Sequence, residues 1–253
     1  LGIYKKRNGL LKYQDIKNGR FYWEDCFDAM KEIPDGVIDM ILCDLPYGTT
    51  QNKWDSVLPL DKLWAEYWRV CKSNAAIVLT AQPPFDKSLG VSQINYLKYE
   101  WIWEKTAASG HLNAKKQPMK AHENILVFYR EQSLYNPQFE EGKAYTQKSG
   151  RASSNYGDQV QVVTENDGKR YPKSVQRFAR DKDRIHPTQK PIALFEYLIK
   201  TYTNENELIL DNTAGSGTTA IAAINTNRRW ICIEKDEEYA NKAIERINAH
   251  NKC

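Results

Sequence analysis

The 253-residue chain contains no run near the roughly 18 apolar residues that a bilayer crossing needs, so no membrane partner is expected. Its five cysteines (Cys26, Cys43, Cys71, Cys232, Cys253) are scattered and form no C-x-x-C pair. Its four histidines (His111, His122, His186, His250) stand at no metal-ligand spacing. A zinc site is therefore not expected, and a reducing cytoplasm is the expected compartment. No G-x-x-x-x-G-K-[ST] occurs, which excludes a P-loop. Internal repeats and low-complexity tracts are also missing. The N-terminal stretch LGIYKKRNGLLKY is basic, but no sustained apolar run follows it, so no secretory signal is expected.

What is present suits a globular chain: 41% of residues are hydrophobic. The length accommodates one large α/β domain, or one with a substantial insertion. The formal net charge of +4 is unevenly placed. Residues 142–190 hold eleven Lys/Arg against five Asp/Glu, whereas the rest holds 25 against 27. One segment thus carries the whole positive excess, as a surface facing a polyanion would. A solvated, loop-rich surface would have the same composition.

Strand and helix patterns alternate, the signature of a mostly parallel sheet. Val37–Cys43 is a short apolar run ending at Asp44. Leu60, Leu63, Trp64, Tyr67, Trp68 and Cys71 fall on one helical face. Ala75–Thr80, Tyr99–Lys105 and Asn124–Tyr129 read as strands. Residues 131–185 lose this regularity and are rich in Gln, Ser, Asn, Gly, Lys and Arg. Pattern resumes with a helix at 191–202, Pro191 fitting its first turn. A strand at Glu207–Asp211, a helix at Ser216–Asn225, a strand at Trp230–Glu234 and a helix at Asp236–Ala249 follow.

Two stretches carry chemistry. From Glu207 to Glu234 a strand ends at Asp211, a Gly215-Ser216-Gly217 turn opens a helix, and a second strand ends in an acid. Glycines permit the sharp turn and close approach to a ligand. Glu234 lies seventeen residues after Gly217, near where an acid binds both hydroxyls of a ribose. The loop alone also admits a nicotinamide dinucleotide, or a tight β–α turn with no ligand. The second stretch is Asp44-Leu45-Pro46-Tyr47, placed after a strand where open α/β sheets bind ligands. An exocyclic base amine is a poor nucleophile because its lone pair is delocalised into the ring. A carboxylate (Asp44) and a carbonyl (Leu45) can accept its hydrogens, and an aromatic ring (Tyr47) can stack on the base. An ordinary Asp-x-Pro turn is the alternative.

Together these motifs resemble the β-group amino DNA methyltransferases. Asp44-Leu45-Pro46-Tyr47 is similar to that family's (D/N/S)-P-P-(Y/F) motif, and Thr213-Ala214-Gly215-Ser216-Gly217 to its F-x-G-x-G motif. His186-Pro187-Thr188-Gln189-Lys190-Pro191 resembles its H-P-T-Q-K-P element, and Tyr22–Cys26 its G-D-C element. Trp103-Glu104-Lys105 and His122-Glu123-Asn124 match positions on its middle strands. The order, catalytic motif first and cofactor motif last, is that of the β-group. Leu45 in place of the first proline removes one fixed φ angle. Thr213 replaces the usual phenylalanine.

The resemblance implies a Rossmann-like α/β fold, a mostly parallel twisted sheet with helices on both faces and an inserted target-recognition region. Residues 20–130 would be the catalytic half, 131–185 the insertion and 186–253 the cofactor half. It implies S-adenosylmethionine as cofactor, held by Asp25, Cys26, Asp44, His186, Thr188, Lys190, Asp211, Thr213, Gly215, Gly217 and Glu234. It implies direct methyl transfer to an amine of a base flipped from double-stranded DNA, with Asp44, Leu45, Pro46 and Tyr47 at the reacting centre. No nucleophilic cysteine is needed, so Cys43 reads as strand packing. Arg151, Lys169, Arg170, Lys173, Arg177 and Arg180 are the expected DNA contacts. Asp44 favours adenine N6; cytosine N4 is the alternative within the family. A nicotinamide oxidoreductase and a non-enzymatic DNA-binding protein are the alternatives outside it. A homodimer is one assembly that the resemblance allows, and a cognate restriction enzyme is left open.

Overall fold

Apolar strands alternating with one-sided helices build a mixed sheet covered on both faces. The computed structural model describes residues 2–6, 9–49, 55–148, 163–183, 185–186 and 188–250. Arg151 and Pro187 lie outside the described residues.

The N-terminal stretch, to which periodicity assigned nothing, is an antiparallel ladder of β1 (Gly2–Lys6), β2 (Gly9–Ile16) and β3 (Gly19–Tyr22). Asp25 then caps α1 (Cys26–Met30), its carboxylate accepting from the Phe27 N–H at 3.0 Å. The run ending at Asp44 is β4 (Ile38–Asp44), buried on both faces, as a central parallel strand must be. In α2 (Leu60–Val70) the expected face, Leu63, Trp64 and Tyr67, is buried. Cys71 does not end that helix but starts β5 (Cys71–Ala81). After α3 (Phe85–Ser92), β6 (Leu97–Ser109) and β7 (Lys120–Phe128) pair as a long antiparallel hairpin; β6 extends beyond the expected Tyr99–Lys105 at both ends, and β7 starts four residues before the expected Asn124.

The region 131–185 is less irregular than its composition suggests. It contains β8 (Glu140–Glu141), β9 (Tyr145–Lys148), β10 (Val163–Asn166), β11 (Lys169–Arg170) and β12 (Val175–Phe178). The first four form two small ladders, β9 with β10 and β8 with β11. By contrast, β12 joins the main sheet parallel to β6, and the Trp103 indole donates to the Phe178 carbonyl at 3.0 Å. An edge strand with one wet face can be polar, which hid it among lysines and arginines. Two compact units result: residues 1–136 with 174–253, and residues 137–173.

The C-terminal part supplies α4 (Ile192–Tyr202), β13 (Leu208–Asp211), α5 (Thr218–Asn225), β14 (Arg229–Ile233) and α6 (Glu237–His250). Pro191 occupies the cap position just before α4, not its first turn. The main sheet runs β1-β2-β3-β14-β13-β4-β5-β7-β6-β12, with β2 and β7 against the common direction. Alternate residues of β4 feed opposite layers. Met40 and Leu42 pack with α4, α5 and α6, whereas Ile41 and Cys43 pack with α1, α2 and α3. The decisive pairing is β13 on β4 (Ile209 with Met40, Leu210 with Ile41). It joins the two ends of the chain, so the loops after β4, β13 and β14 emerge side by side.

Candidate active site

Asp44 sits at the carboxyl end of β4, where the ladder stops and its side chain turns into a cluster of polar groups. The Tyr47 hydroxyl donates to Asp44 Oδ1 at 2.6 Å, and the Thr80 hydroxyl, from the end of β5, donates to the same oxygen at 2.5 Å. The Lys190 ammonium lies 2.5 Å from Oδ2. Lys190 is also 3.3 Å from Glu123 Oε2, while Lys105 from β6 meets Glu123 Oε1 at 2.6 Å. Two carboxylates and two ammoniums therefore alternate, Asp44 from the end of β4, Lys190 from the loop before α4, Glu123 from within β7 and Lys105 from within β6. Burial acts to lower the Lys190 ammonium, but Asp44 and Glu123 outweigh it and hold it above the ordinary lysine range. Burial acts to raise the Glu123 carboxyl, but Lys190 and Lys105 bring it below its usual value. Burial, with Asp44 and Glu123 nearby, pushes the Tyr47 phenol well up, so it stays a hydrogen-bond donor. The Tyr47 ring stacks on Phe85, centroids 5.4 Å apart. Cys43 is fully buried, exchanging bonds with Asn212, and burial pushes its thiol well above the usual range; it packs.

Against this cluster lies the glycine turn. The Thr213 hydroxyl donates to the Asp44 carbonyl at 3.1 Å, a direct link between the two motifs. Asp211 accepts from the Thr213 N–H at 3.1 Å and the Thr219 hydroxyl at 2.5 Å, closing the turn onto α5. Gly217, with φ +72°, caps that helix in the left-handed region, and an added Cβ would come within 3.0 Å of Ile247. Glu234 follows β14 and accepts from the N–H groups of Gly215 (2.8 Å) and Asp236 (2.9 Å). Asp25 and Cys26 stand beside it, because the Glu24 N–H donates to the Glu234 carbonyl, and Lys235 pairs with Asp25 at 3.1 Å. The His186 ring packs edge-on against Tyr239, centroids 4.4 Å apart, with its Nδ1 3.0 Å from the Thr188 hydroxyl.

The sheet thus brings together Asp44, Tyr47, Lys190, Thr213 and the 215–217 turn. Leu45 is buried behind them. Thr80, Glu123 and Lys105 had been given no role by the sequence; only the Trp-Glu-Lys and His-Glu-Asn matches hinted at two of them. The expected DNA contacts are more dispersed. Arg177 lies on β12 and Arg180 just after it, both exposed. Lys169, Arg170 and Lys173 belong to the smaller unit. There the Arg170 guanidinium covers the Tyr145 ring at 4.6 Å and bonds Asn166 and the Lys143 carbonyl, holding its own unit together. No helix among the described residues is long and apolar enough to cross a membrane.

A family model described as DNA methylase, the N6/N4 methyltransferase model, matches residues 38–245. The DNA adenine methyltransferase YhdJ of Escherichia coli K12 is 27% identical over 242 residues, 88% of this chain and 81% of that protein. The type II methyltransferase M.HpaI of Haemophilus parainfluenzae is 26% identical over 251 residues, 91% and 74% of the two chains. Among solved structures, the M1.HpyAVI–SAM complex superposes with a TM-score of 0.64 at 23% identity, covering 90% of this chain and 99% of that one, a likeness of fold.

Proposed function

The chain belongs to the DNA methylase family, and from that premise we propose that it moves the methyl group of S-adenosylmethionine onto N6 of an adenine flipped out of duplex DNA. Its sheet is the Rossmann-like methyltransferase fold. Family membership sets aside the nicotinamide reading of the glycine turn.

The observation that carries the proposal is the contact between the motifs: Thr213, from the cofactor turn, bonds the carbonyl of Asp44. A ligand on that turn and a base at Asp44 would share one pocket. The strand-end residues suit the cofactor. Each Glu234 oxygen accepts one backbone N–H, and a carboxylate has about four acceptor sites, so two ribose hydroxyls can still be taken. The 215–217 turn presents backbone without side-chain bulk. Asp25, Cys26, Asp211, Thr213, His186, Thr188 and Lys190 complete the set we assign to it. S-adenosylmethionine supplies an electrophilic methyl on a sulfonium.

The protein's part is orientation. Tyr47, Thr80 and Lys190 fill three of the roughly four acceptor sites on Asp44, leaving one for an amine hydrogen. The Leu45 carbonyl accepts the second hydrogen, and the Tyr47 ring stacks on the base. Opening the helix costs a few kcal/mol, offset by stacking and hydrogen bonds in the pocket. Asp44 at this position favours adenine over cytosine. The test is nucleoside mass spectrometry of DNA treated with the protein and its Asp44→Ala variant. We expect N6-methyladenine with the wild type and none with the variant, DNA binding being retained. N4-methylcytosine would replace the base assigned, and methylation persisting in the variant would overturn the role of Asp44.

A further inference from the structure

The β6–β7 hairpin extends past the Lys105–Glu123 ion pair to the Ser109–Lys120 pairing and a turn beyond it. From Thr106 to His122 it carries three lysines (Lys115, Lys116, Lys120) and two histidines, with no Asp or Glu. Residues 106–108 and 110–122 are all exposed. The excursion is nonetheless shaped. Asn113 and Gln117 close tight backbone turns on Gly110 and Asn113, at 3.0 Å each, and Ser109 pairs with Lys120 across the stem. At its tip Leu112 is 88% exposed, an apolar side chain held in water three residues before Lys115.

Its place matters more than its composition. The base of the stem is the Lys105–Glu123 ion pair, whose carboxylate contacts Lys190 and, through it, Asp44. Lys120 is tied at 3.1 Å to Gln82, two residues past the Thr80 that bonds Asp44. The hairpin therefore rises from the same sheet end at which the base would enter. An acid-free cationic arm at that position fits a phosphate backbone. An apolar side chain at the tip of such an arm fits the stack of bases, where wedges of this kind insert between base steps and partly unstack them.

We propose that the Thr106–His122 hairpin is a second DNA-binding element, separate from the 131–185 region, in which Lys115 and Lys116 hold phosphates beside the reacting base while Leu112 lies against the base stack. The proposal rests on the methylase reading. Three variants test it, each with wild-type protein as control: Lys115→Ala/Lys116→Ala, the charge-preserving Lys115→Arg/Lys116→Arg, and Leu112→Ala. Binding to a short fluorescent duplex is followed as KCl is raised, and methyl transfer to unmethylated plasmid is measured alongside. Loss of two phosphate contacts should weaken binding roughly tenfold at about 0.1 M salt and make the salt slope shallower by about 2. The arginine pair should bind as wild type does. Leu112→Ala should keep the salt slope and lose turnover at saturating DNA. Wild-type affinity and slope in the alanine pair, or equal losses in the alanine and arginine pairs, would overturn the proposal. A wild type that transfers no methyl group to DNA would instead sink the methylase reading.

Discussion

Replacing Glu123 by glutamine should cost more than any other single conservative change at this site. Glu123 is a buried carboxylate facing two ammoniums, Lys105 at 2.6 Å and Lys190 at 3.3 Å. Lys190 keeps a second partner in Asp44, but the ion pair of Lys105 is with Glu123, and its side chain is only 4% exposed. The variant thus strands the charge of Lys105 against the face of Trp103, 5.3 Å away. Breaking a buried pair from one side costs about 3–5 kcal/mol, and an amide oxygen recovers part of it, so we expect about 3 kcal/mol. For a chain of this size that lowers the melting temperature by roughly 6–12 °C. The charge argument makes a sharper demand. Adding Lys105→Met removes the stranded ammonium, so the double variant should melt above Glu123→Gln alone. The pH dependence follows in sign. The Glu123 carboxyl lies below its usual value when folded, so its contribution is present above the unfolded value and vanishes as pH falls through the folded one. The gap between wild type and Glu123→Gln should therefore close below about pH 4. Thermal melts of wild type, single and double variants across pH decide it. A double variant that melts below Glu123→Gln would refute the charge argument, because removing the stranded lysine would have relieved nothing.

Two further outcomes follow. Burial pushes the Asp211 carboxyl up to about 6, so the folded state holds the proton more tightly than the unfolded chain, and stability falls as pH rises from about 4 towards 6. Asp211→Asn can still accept from Thr213 and donate to Thr219; its urea midpoint should stay flat across that window and gain up to roughly 3 kcal/mol at neutral pH, whereas a parallel decline would refute the assignment. Gly217→Ala forces a side chain to φ +72° and against Ile247, costing about 1–2 kcal/mol for the backbone and more for the contact. Gly36→Ala, at φ +64° with open space around it, isolates the backbone part, and equal melting losses in the two variants would show that α6 yields freely.

The elements legible in the sequence were those whose pattern is local. The apolar run of β4, the helical face of α2 and the glycine turn each declare themselves within a dozen residues, because burial on one or both faces dictates residue type at fixed spacing. The juxtaposition of Asp44 with the 213–217 turn was also legible, since the order of motifs implied neighbouring strand ends. What escaped had no local period. β2 and β3 mix lysine, arginine and glutamine with apolar residues because they lie towards the sheet edge, and β12 reads as a basic loop for the same reason. The Lys105–Glu123 pair depends on the register of a hairpin whose strands slip between Glu104 and Ser109, which no spacing rule fixes. Thr80 looked like the end of an apolar strand, and only the pairing of β4 with β5, Asp44 opposite Thr80, gives its hydroxyl a target.

That cluster also bears on how Asp44 works. Asp44, Lys190, Glu123 and Lys105 form a chain of two acids and two bases whose charges cancel. Drawing a proton from the neutral base amine into this chain would set a cationic cluster against an anionic nitrogen, a charge separation that a low-dielectric site penalises heavily. Accepting a hydrogen bond from the amine leaves the balance intact. On the methylase reading, the arrangement is therefore suited to orienting the amine and to stabilising the positive charge that develops on it, not to removing its proton beforehand. The proton would depart after methyl transfer, when the methylated nitrogen has become strongly acidic and needs no strong base. Lys190 is the arbiter in this scheme. It occupies one acceptor site of Asp44 while leaving another open, and it shares its charge with Glu123.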